Sequence, residues 1–161
     1  MSDEDDTKIY LDPLESIGYL SRMNFRAFSK ELEKQTAIHG VSASQWWLLR
    51  ILWEQDDITQ RELSDKIRIR EATMVKAING LVAAGLAERH RSTSDRRKCN
   101  IKLTQKANKL KGKLLQLAAL VNEHAARGIS KKDIDTTHRV LAKTFENLMA
   151  GTKLDKPRNK P

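Results

Sequence analysis

Apolar residues recur at roughly helical spacing from the first proline onward: Leu14, Ile17, Leu20, Phe25, Phe28 and Leu32. Asp12 followed by Pro13 predicts the helix start, with Asp12 as N-cap and Pro13 at the first helical position. The helix is expected to run to about Ile38, with Gly40 at its C-terminal cap. Its apolar positions fall on more than one side. That spread predicts packing both on its own domain and on a second copy of the chain, against the alternative of a core helix in a monomer.

A second helix opens at Val41–Gln45, where Ser42 and Gln45 have capping-box spacing. Trp46, Leu49 and Trp53 share one face, and the pattern fades at Gln55-Asp56-Asp57. Ile58 can then supply a short strand. Thr59 to Glu62 forms a second capping box, starting a short helix with Leu63 and Ile67 inward. A tight turn around Arg68-Ile69 leads to a helix from about Glu71 to Ala84. Met74, Ala77, Ile78, Leu81 and Val82 are its apolar stripe, while Arg70, Thr73, Lys76 and Asn79 lie outward. A short helix, a tight turn and a second helix with a polar outer face form a helix-turn-helix pattern.

Gly85 ends that helix, and the periodicity changes. Leu86 to Arg91 and Lys98 to Leu103 read as two short strands, joined by the polar turn Ser92-Thr93-Ser94-Asp95-Arg96-Arg97. Two strands with a basic tip, directly after a helical segment, make the wing of a winged helix-turn-helix. Thr104 caps a long helix from Gln105 to about Arg127, with Ala107, Leu110, Leu114, Leu117, Ala118 and Val121 inward. Gly128 closes it. Ser130 and Asp133 have N-cap and N3 spacing for a last helix, striped by Ile134, Leu141, Phe145 and Leu148 and closed by Gly151.

The predicted fold class is therefore mostly α: a winged helix-turn-helix with a small β-hairpin wing and a helical dimerisation region drawn from both chain ends. In segments, residues 1–10 are expected to be disordered, 11–40 to form a dimerisation helix, and 41–104 the DNA-binding domain. Residues 105–150 would supply further dimerisation helices, and 151–161 a basic tail. The three prolines, Pro13, Pro157 and Pro161, leave the body free of the strongest helix breaker.

Charge sharpens this picture. The net charge is +9. Between Ile58 and Thr104 there are 11 Lys and Arg against 5 Asp and Glu, an excess of +6 in under a third of the chain. Aromatic residues are only 5%, which disfavours a base-stacking, single-strand binder. The acidic N-terminus has no apolar signal region, and no apolar run approaches the ~20 residues that span a bilayer. One cysteine, Cys99, cannot form an internal disulfide, which suits a reducing cytoplasm. The expected location is cytoplasmic, with no membrane partner.

The candidate DNA contacts follow from placement. A helix in the major groove can read base edges with Arg70, Thr73 and Lys76 near its N-terminal half, each good contact worth roughly 1–3 kcal/mol of discrimination. Arg68 in the preceding turn and Arg91 at the wing's base join this set. At the tip an arginine, Arg96 or Arg97, can enter the narrow minor groove, where negative potential concentrates. Asp95 would pair with one of these arginines and fix the turn. Ser94 either forms turn hydrogen bonds or touches phosphate, the former being the commoner fate. A charged helix stripe is usually just a solvated face; the adjoining basic hairpin argues against that here.

These residues carry a resemblance. Asp95-Arg96-Arg97, five residues, then Leu103-Thr104, preceded by Gly85-Leu86 at a helix end, resembles the MarR family of bacterial transcription regulators. The likeness extends upstream through Thr59-Gln60-Arg61-Glu62-Leu63, and segment order fits from about Leu14 to Leu148. The resemblance implies a homodimer formed by the first and last two helices, bound to a palindromic double-stranded operator. It also implies a small effector, often an aromatic acid, lodged between the dimerisation and DNA-binding parts and releasing the DNA. It makes Arg70 to Ala84 the recognition helix and Arg96 or Arg97 the wing arginine. The chain departs from the family pattern in the turn before that helix, where Gly and then Ser are usual but Arg68 and Arg70 stand, and at Ala72, where a small hydroxyl residue is usual.

Catalysis finds no support: there is no Gly-rich phosphate loop and no Gly-x-Ser-x-Gly. No cofactor is implied. The histidines His39, His90, His124 and His138 are scattered and lack metal-motif partners at short spacing. Cys99, in a wing strand, reads as a small buried or edge side chain rather than a sensor. For an effector, Trp46 and Trp53 lie on the helix that the family places beside its pocket, and Arg22, Arg26 and His39 could meet a carboxylate. Against that, tryptophans at helical spacing are more often core. Two functional classes stand beside the ligand-responsive repressor: a constitutive or architectural DNA-binding protein, and a helical adaptor that uses the fold without DNA.

Overall fold

The computed structural model describes residues 12–67, 71–91 and 99–151. The chain divides into two compact units, residues 1–121 and 122–161. Among the described residues no helix is long and apolar enough to cross a membrane.

The first unit begins with a single 3-10 turn, Pro13–Glu15, whose N-cap Asp12 accepts from Leu14 N at 2.8 Å. The expected unbroken helix is instead restarted. Ser16 is extended and its hydroxyl accepts from Tyr19 N at 3.2 Å, so a second cap opens α1 (Ile17–Thr36). Another 3-10 turn, Ala37–His39, ends at Gly40, whose φ of +71° is the left-handed value expected of a helix-terminating glycine. Buried Thr36 donates to Val41 O at 2.7 Å and pins that turn.

Both capping boxes form. Ser42 and Gln45 cap α2 (Ala43–Glu54) reciprocally. Thr59 N and Oγ1 both donate to Glu62 Oε2, while Glu62 N donates to Thr59 Oγ1, capping α3 (Gln60–Ile67). The next helix, α4 (Glu71–Ala83), ends with Gly85 at φ +67° and Leu86 N donating to Leu81 O at 2.9 Å. That is a helix stop with the Gly-dependent backbone predicted for it.

Three strands follow the order β1-β3-β2, all antiparallel: β1 (Ile58–Thr59), β2 (Ala87–Arg91) and β3 (Cys99–Leu103). The register sets Ala87 against Leu103, Arg89 against Ile101, and Arg91 against Cys99. Ala87, Ile101 and Leu103 are buried, and the alternate residues Glu88, His90, Asn100 and Lys102 face the other way. β2 starts one residue later than the pattern suggests, because Leu86 belongs to the helix stop; Lys98, expected to open the second strand, lies outside the described residues.

One core holds this unit together. Trp46, Leu49, Leu52, Leu63, Met74, Ile78, Leu81, Ile101 and Leu114 are all at or below 1% exposure. They come from α2, α3, α4, β3 and α5 (Gln105–Ala125), so the helix-turn-helix and the wing share one apolar interior. Thr104 Oγ1 donates to Gly85 O at 2.7 Å and Lys106 Nζ to Ala84 O at 2.8 Å, which satisfies the carbonyls left open at the end of α4. The second unit contains α6 (Lys131–Met149), capped by Ser130 as its spacing predicts.

Candidate nucleic-acid interface

The inward face of α4 is closed: Met74, Ile78 and Leu81 have no exposure. Its outward face carries the exposed residues Val75, Lys76 and Asn79. Two long-range bonds fix this helix. On one side Gln45, already part of the α2 capping box, sends its amide Nε2 to Gly80 O at 2.9 Å. On the other, Arg89 Nη2 donates to Asn79 Oδ1 at 2.7 Å. The second bond ties β2 of the wing to the outward side of the helix. Helix and hairpin are thus joined on the exposed side of α4, and Lys76, Arg89 and Arg91 are exposed.

The opposite side of the hairpin is also anchored. Asp57, in the turn before β1, has φ +57°, the one described non-glycine residue in the left-handed region. Asn100 Nδ2 donates to Asp57 O and Oδ1, both at 2.9 Å, and His90 Nε2 lies 2.6 Å from the same Oδ1. The Asn100 amide above all holds the Asp57 carboxyl below the usual carboxylate range; burial opposes it, and His90 and then Lys102 add to the lowering. Neighbouring Asp56 accepts from Leu103 N at 2.9 Å through Oδ1. Sequence reading gave Asp56 and Asp57 no role beyond ending a helix.

Of the expected DNA contacts, Lys76 on α4 and Arg91 at the end of β2 are exposed. Thr73 is on α4, with its side chain outside those described. Arg68, Arg70, Ser94, Asp95, Arg96 and Arg97 lie outside the described residues. Arg89 and Asn79, whose bond joins helix to wing, were legible only as one strand cation and one outward helix residue.

A separate cavity of about 720 Å³ opens in the same unit, lined mainly by apolar groups of α1, α2, α3 and α4. Phe25 and Trp47, both in its lining, stack on each other with ring centroids 6.4 Å apart at 24°. Arg50 and Lys66 bring positive charge to its wall, and Glu54 negative. Ser29 Oγ, buried in the wall, has no hydrogen-bond partner among the described residues.

None of Arg22, Arg26, His39, Trp46 and Trp53 lines this cavity. Trp46 is closed into the core at 1% exposure, with Trp53 edge-on to it at 6.0 Å and the Arg50 guanidinium 5.9 Å from its ring. Arg22 and Arg26 are exposed on α1, and His39 is half-buried in the turn after it. The adjacent Trp47, one helical step of about 100° round from Trp46, is the tryptophan that reaches the cavity. Cys99 is exposed at the start of β3.

A family model described as the MarR family matches residues 41–99. The HTH-type transcriptional regulator TtmR of Methylorubrum extorquens (strain PA1) is 30% identical over 115 residues, which are 71% of this chain and 56% of that protein. The chain thus matches little more than half the length of this curated relative. The crystal structure of a MarR transcriptional regulator from Methanosarcina mazei Go1 is similar with a TM-score of 0.77 and 28% identity, covering 83% of this chain and 96% of the other. That of the transcriptional regulator PA3341 gives 0.72 and 29%, covering 84% and 99%.

Proposed function

The chain belongs to the MarR family of transcription regulators, and from that premise we propose that it is a homodimeric repressor of a palindromic DNA operator, released by a small aromatic acid or thioester. The observation that carries the DNA reading is the 2.7 Å bond between Arg89 and Asn79. It couples a recognition helix to a basic wing, so that a duplex can be gripped by both. On this reading α4 enters the major groove, with Arg70, Thr73 and Lys76 toward base edges and Arg68 and Arg91 toward phosphates. Arg96 or Arg97 enters the adjacent minor groove, and Asp95 and Ser94 shape the turn that presents it.

The dimer reading is supported by apolar surface. Every residue from 12 to 27 is exposed, including Ile17, Leu20, Met23 and Phe25 of α1. On α6, Val140, Leu141, Phe145 and Leu148 are exposed too. In a monomer these faces stay largely in water, whereas a twofold partner buries them. The effector reading is supported by the cavity that Phe25 and Trp47 help to line. Its aromatic and apolar walls suit a flat aromatic ligand, and Arg50 and Lys66 suit its carboxylate. Its walls come from both α1 and α4, so a ligand that parts them would disturb the helix that meets DNA.

A footprint of the purified protein on the DNA flanking its own gene, with and without benzoate, tests the whole reading. Protection should cover two half-sites about one helical turn apart and weaken with benzoate. Arg96→Ala with Arg97→Ala should abolish tight binding and leave the dimer intact, and affinity should fall by about 0.9 log units per log unit of salt for each phosphate neutralised. Protection that no aromatic acid alters would favour a constitutive binder. No salt-steep binding at all would favour an adaptor.

A further inference from the structure

We propose that Asp57 is a positioning residue for the wing, which it holds through a proton on His90; this rests on the DNA-binding reading above. His90 and Asn100 are register partners on β2 and β3. Asp57 reaches both, so one residue outside the hairpin grips its two strands at the same level. That level is one rung from Arg91 and Cys99, the last described pair before the tip. On the opposite face of the same strand Arg89 is bonded to Asn79 of α4. The hairpin is thus stayed from both sides, and the Asp57 side is the one that can titrate.

Both ring nitrogens of His90 face oxygen atoms. Its Nδ1 lies 3.2 Å from Arg91 O, a carbonyl that can only accept. Its Nε2 lies 2.6 Å from Asp57 Oδ1, a carboxylate oxygen that also can only accept. The second contact lies at ion-pair distance, so its strength depends on the charge of the ring. A neutral imidazole has one N–H and would set a lone pair against one of the two acceptors. The imidazolium, with two N–H groups, suits both.

The other charges at this spot are Lys102 and Glu88, paired across β3 and β2 on the same face, and Asp56, engaged with Leu103 N. Lys102 opposes the proton on His90, while Glu88 and Asp56 favour it. Histidine is the side-chain type whose charge ordinarily changes between about pH 5 and 8. Lowering the pH across that span therefore strengthens the clamp, holds the hairpin at a fixed angle to α4, and tightens DNA binding.

The test compares wild type, Asp57→Asn and His90→Gln at about pH 6 and about pH 8. Asn at 57 tolerates the left-handed backbone and keeps an oxygen for Asn100, but removes the charge facing His90. The probe is a labelled duplex recovered with the wild-type protein from a random-sequence pool, read by fluorescence anisotropy. Wild type should bind about twofold to fivefold tighter at the lower pH, the span of a half-exposed ion pair, and both variants should be flat by comparison. His90 acting directly on phosphate would leave the pH dependence intact in Asp57→Asn, and that result overturns the proposal, as does a flat wild-type profile.

Hydrogen exchange of the β3 amides in DNA-free protein, corrected for the intrinsic pH effect, gives an independent readout. Protection should be greater at the lower pH in wild type alone. If it is, and no duplex from the pool is bound, the DNA reading fails while the clamp stands. If protection ignores both pH and variant, the clamp fails whatever the DNA affinity.

Discussion

Asn79 on α4 and Arg89 on β2 meet side chain to side chain, with the guanidinium donating to the amide oxygen at 2.7 Å. The residues are ten apart in sequence, and the helix stop at Gly85 turns the chain back between them. Each could also touch DNA by itself, so a double-mutant cycle separates the two roles. Asn79→Ala should weaken DNA binding about fivefold, close to the 0.5–1.5 kcal/mol of a typical net hydrogen bond. If the bond matters as a bond, Arg89→Ala and Asn79→Ala will be non-additive in the cycle. Additive losses would mean two independent contacts and no coupling of wing to helix.

Gln45 does two things at once, capping α2 and donating to Gly80 O. Gln45→Ala should lower stability by about 1–2 kcal/mol, since a cap and a tertiary hydrogen bond go together. Gly80 offers the opposite sign. It lies inside α4, and a Cβ there would stand 3.4 Å from Gln45 Nε2, an ordinary contact distance. Gly80→Ala should therefore stabilise by about 0.5–1 kcal/mol through helix propensity. Urea unfolding checks both, and a destabilised Gly80→Ala would mean that Gln45 cannot yield even slightly.

Acid stability should depend on Asp57. Its carboxyl is held below the ordinary 3.8, chiefly by the Asn100 amide. The unfolded chain thus binds a proton at higher pH than the folded one does. The resulting stability is complete above the unfolded value and is lost as the pH falls below it toward the lower folded value. Thermal melts at about pH 5 and about pH 3 should show a larger drop for wild type than for Asp57→Asn. Other carboxylates contribute equally to both proteins and cancel. Equal drops would mean that the carboxylate is not protected in the folded state.

What could be read in advance was whatever is decided within one turn of chain. Ser42 with Gln45, Thr59 with Glu62, and Ser130 with Asp133 each form the cap their spacing predicts, because both partners sit in one helical turn. The buried stripe of α4 followed from period alone. The restart at Ser16 was harder, because Asp12-Pro13 is a valid start in itself and nothing local shows that a second cap four residues on will prevail. Asp57 was invisible for another reason. Its partner Asn100 is 43 residues away, and no pattern within the turn points there. The cavity turned on whether Trp46 or Trp47 faces inward, and only the packing of α1 and α4 around α2 decides that. The resemblance pointed to Arg22, Arg26, His39, Trp46 and Trp53 for an effector, and none of the five lines the cavity.

Leu148 is the sharpest probe of the twofold partner. It is 76% exposed on α6, near the end of the helix. In a monomer, Leu148→Glu is a surface change within about 0.5 kcal/mol of neutral, with little helix-propensity cost. A small penalty from a negative charge near the helix C-terminus is of similar size. In a dimer that covers this face, the same change puts a carboxylate against apolar surface with no partner, which costs several times more. The expected result is at least about a tenfold rise in the dimer dissociation constant by sedimentation equilibrium, with the circular dichroism of the folded chain unchanged. Operator affinity should fall with it, because one half-site holds a single recognition helix far less tightly than two half-sites hold two. If Leu148→Glu sediments as wild type does, this end of α6 lies outside the dimer interface, and the exposed face of α1 must supply the twofold contact.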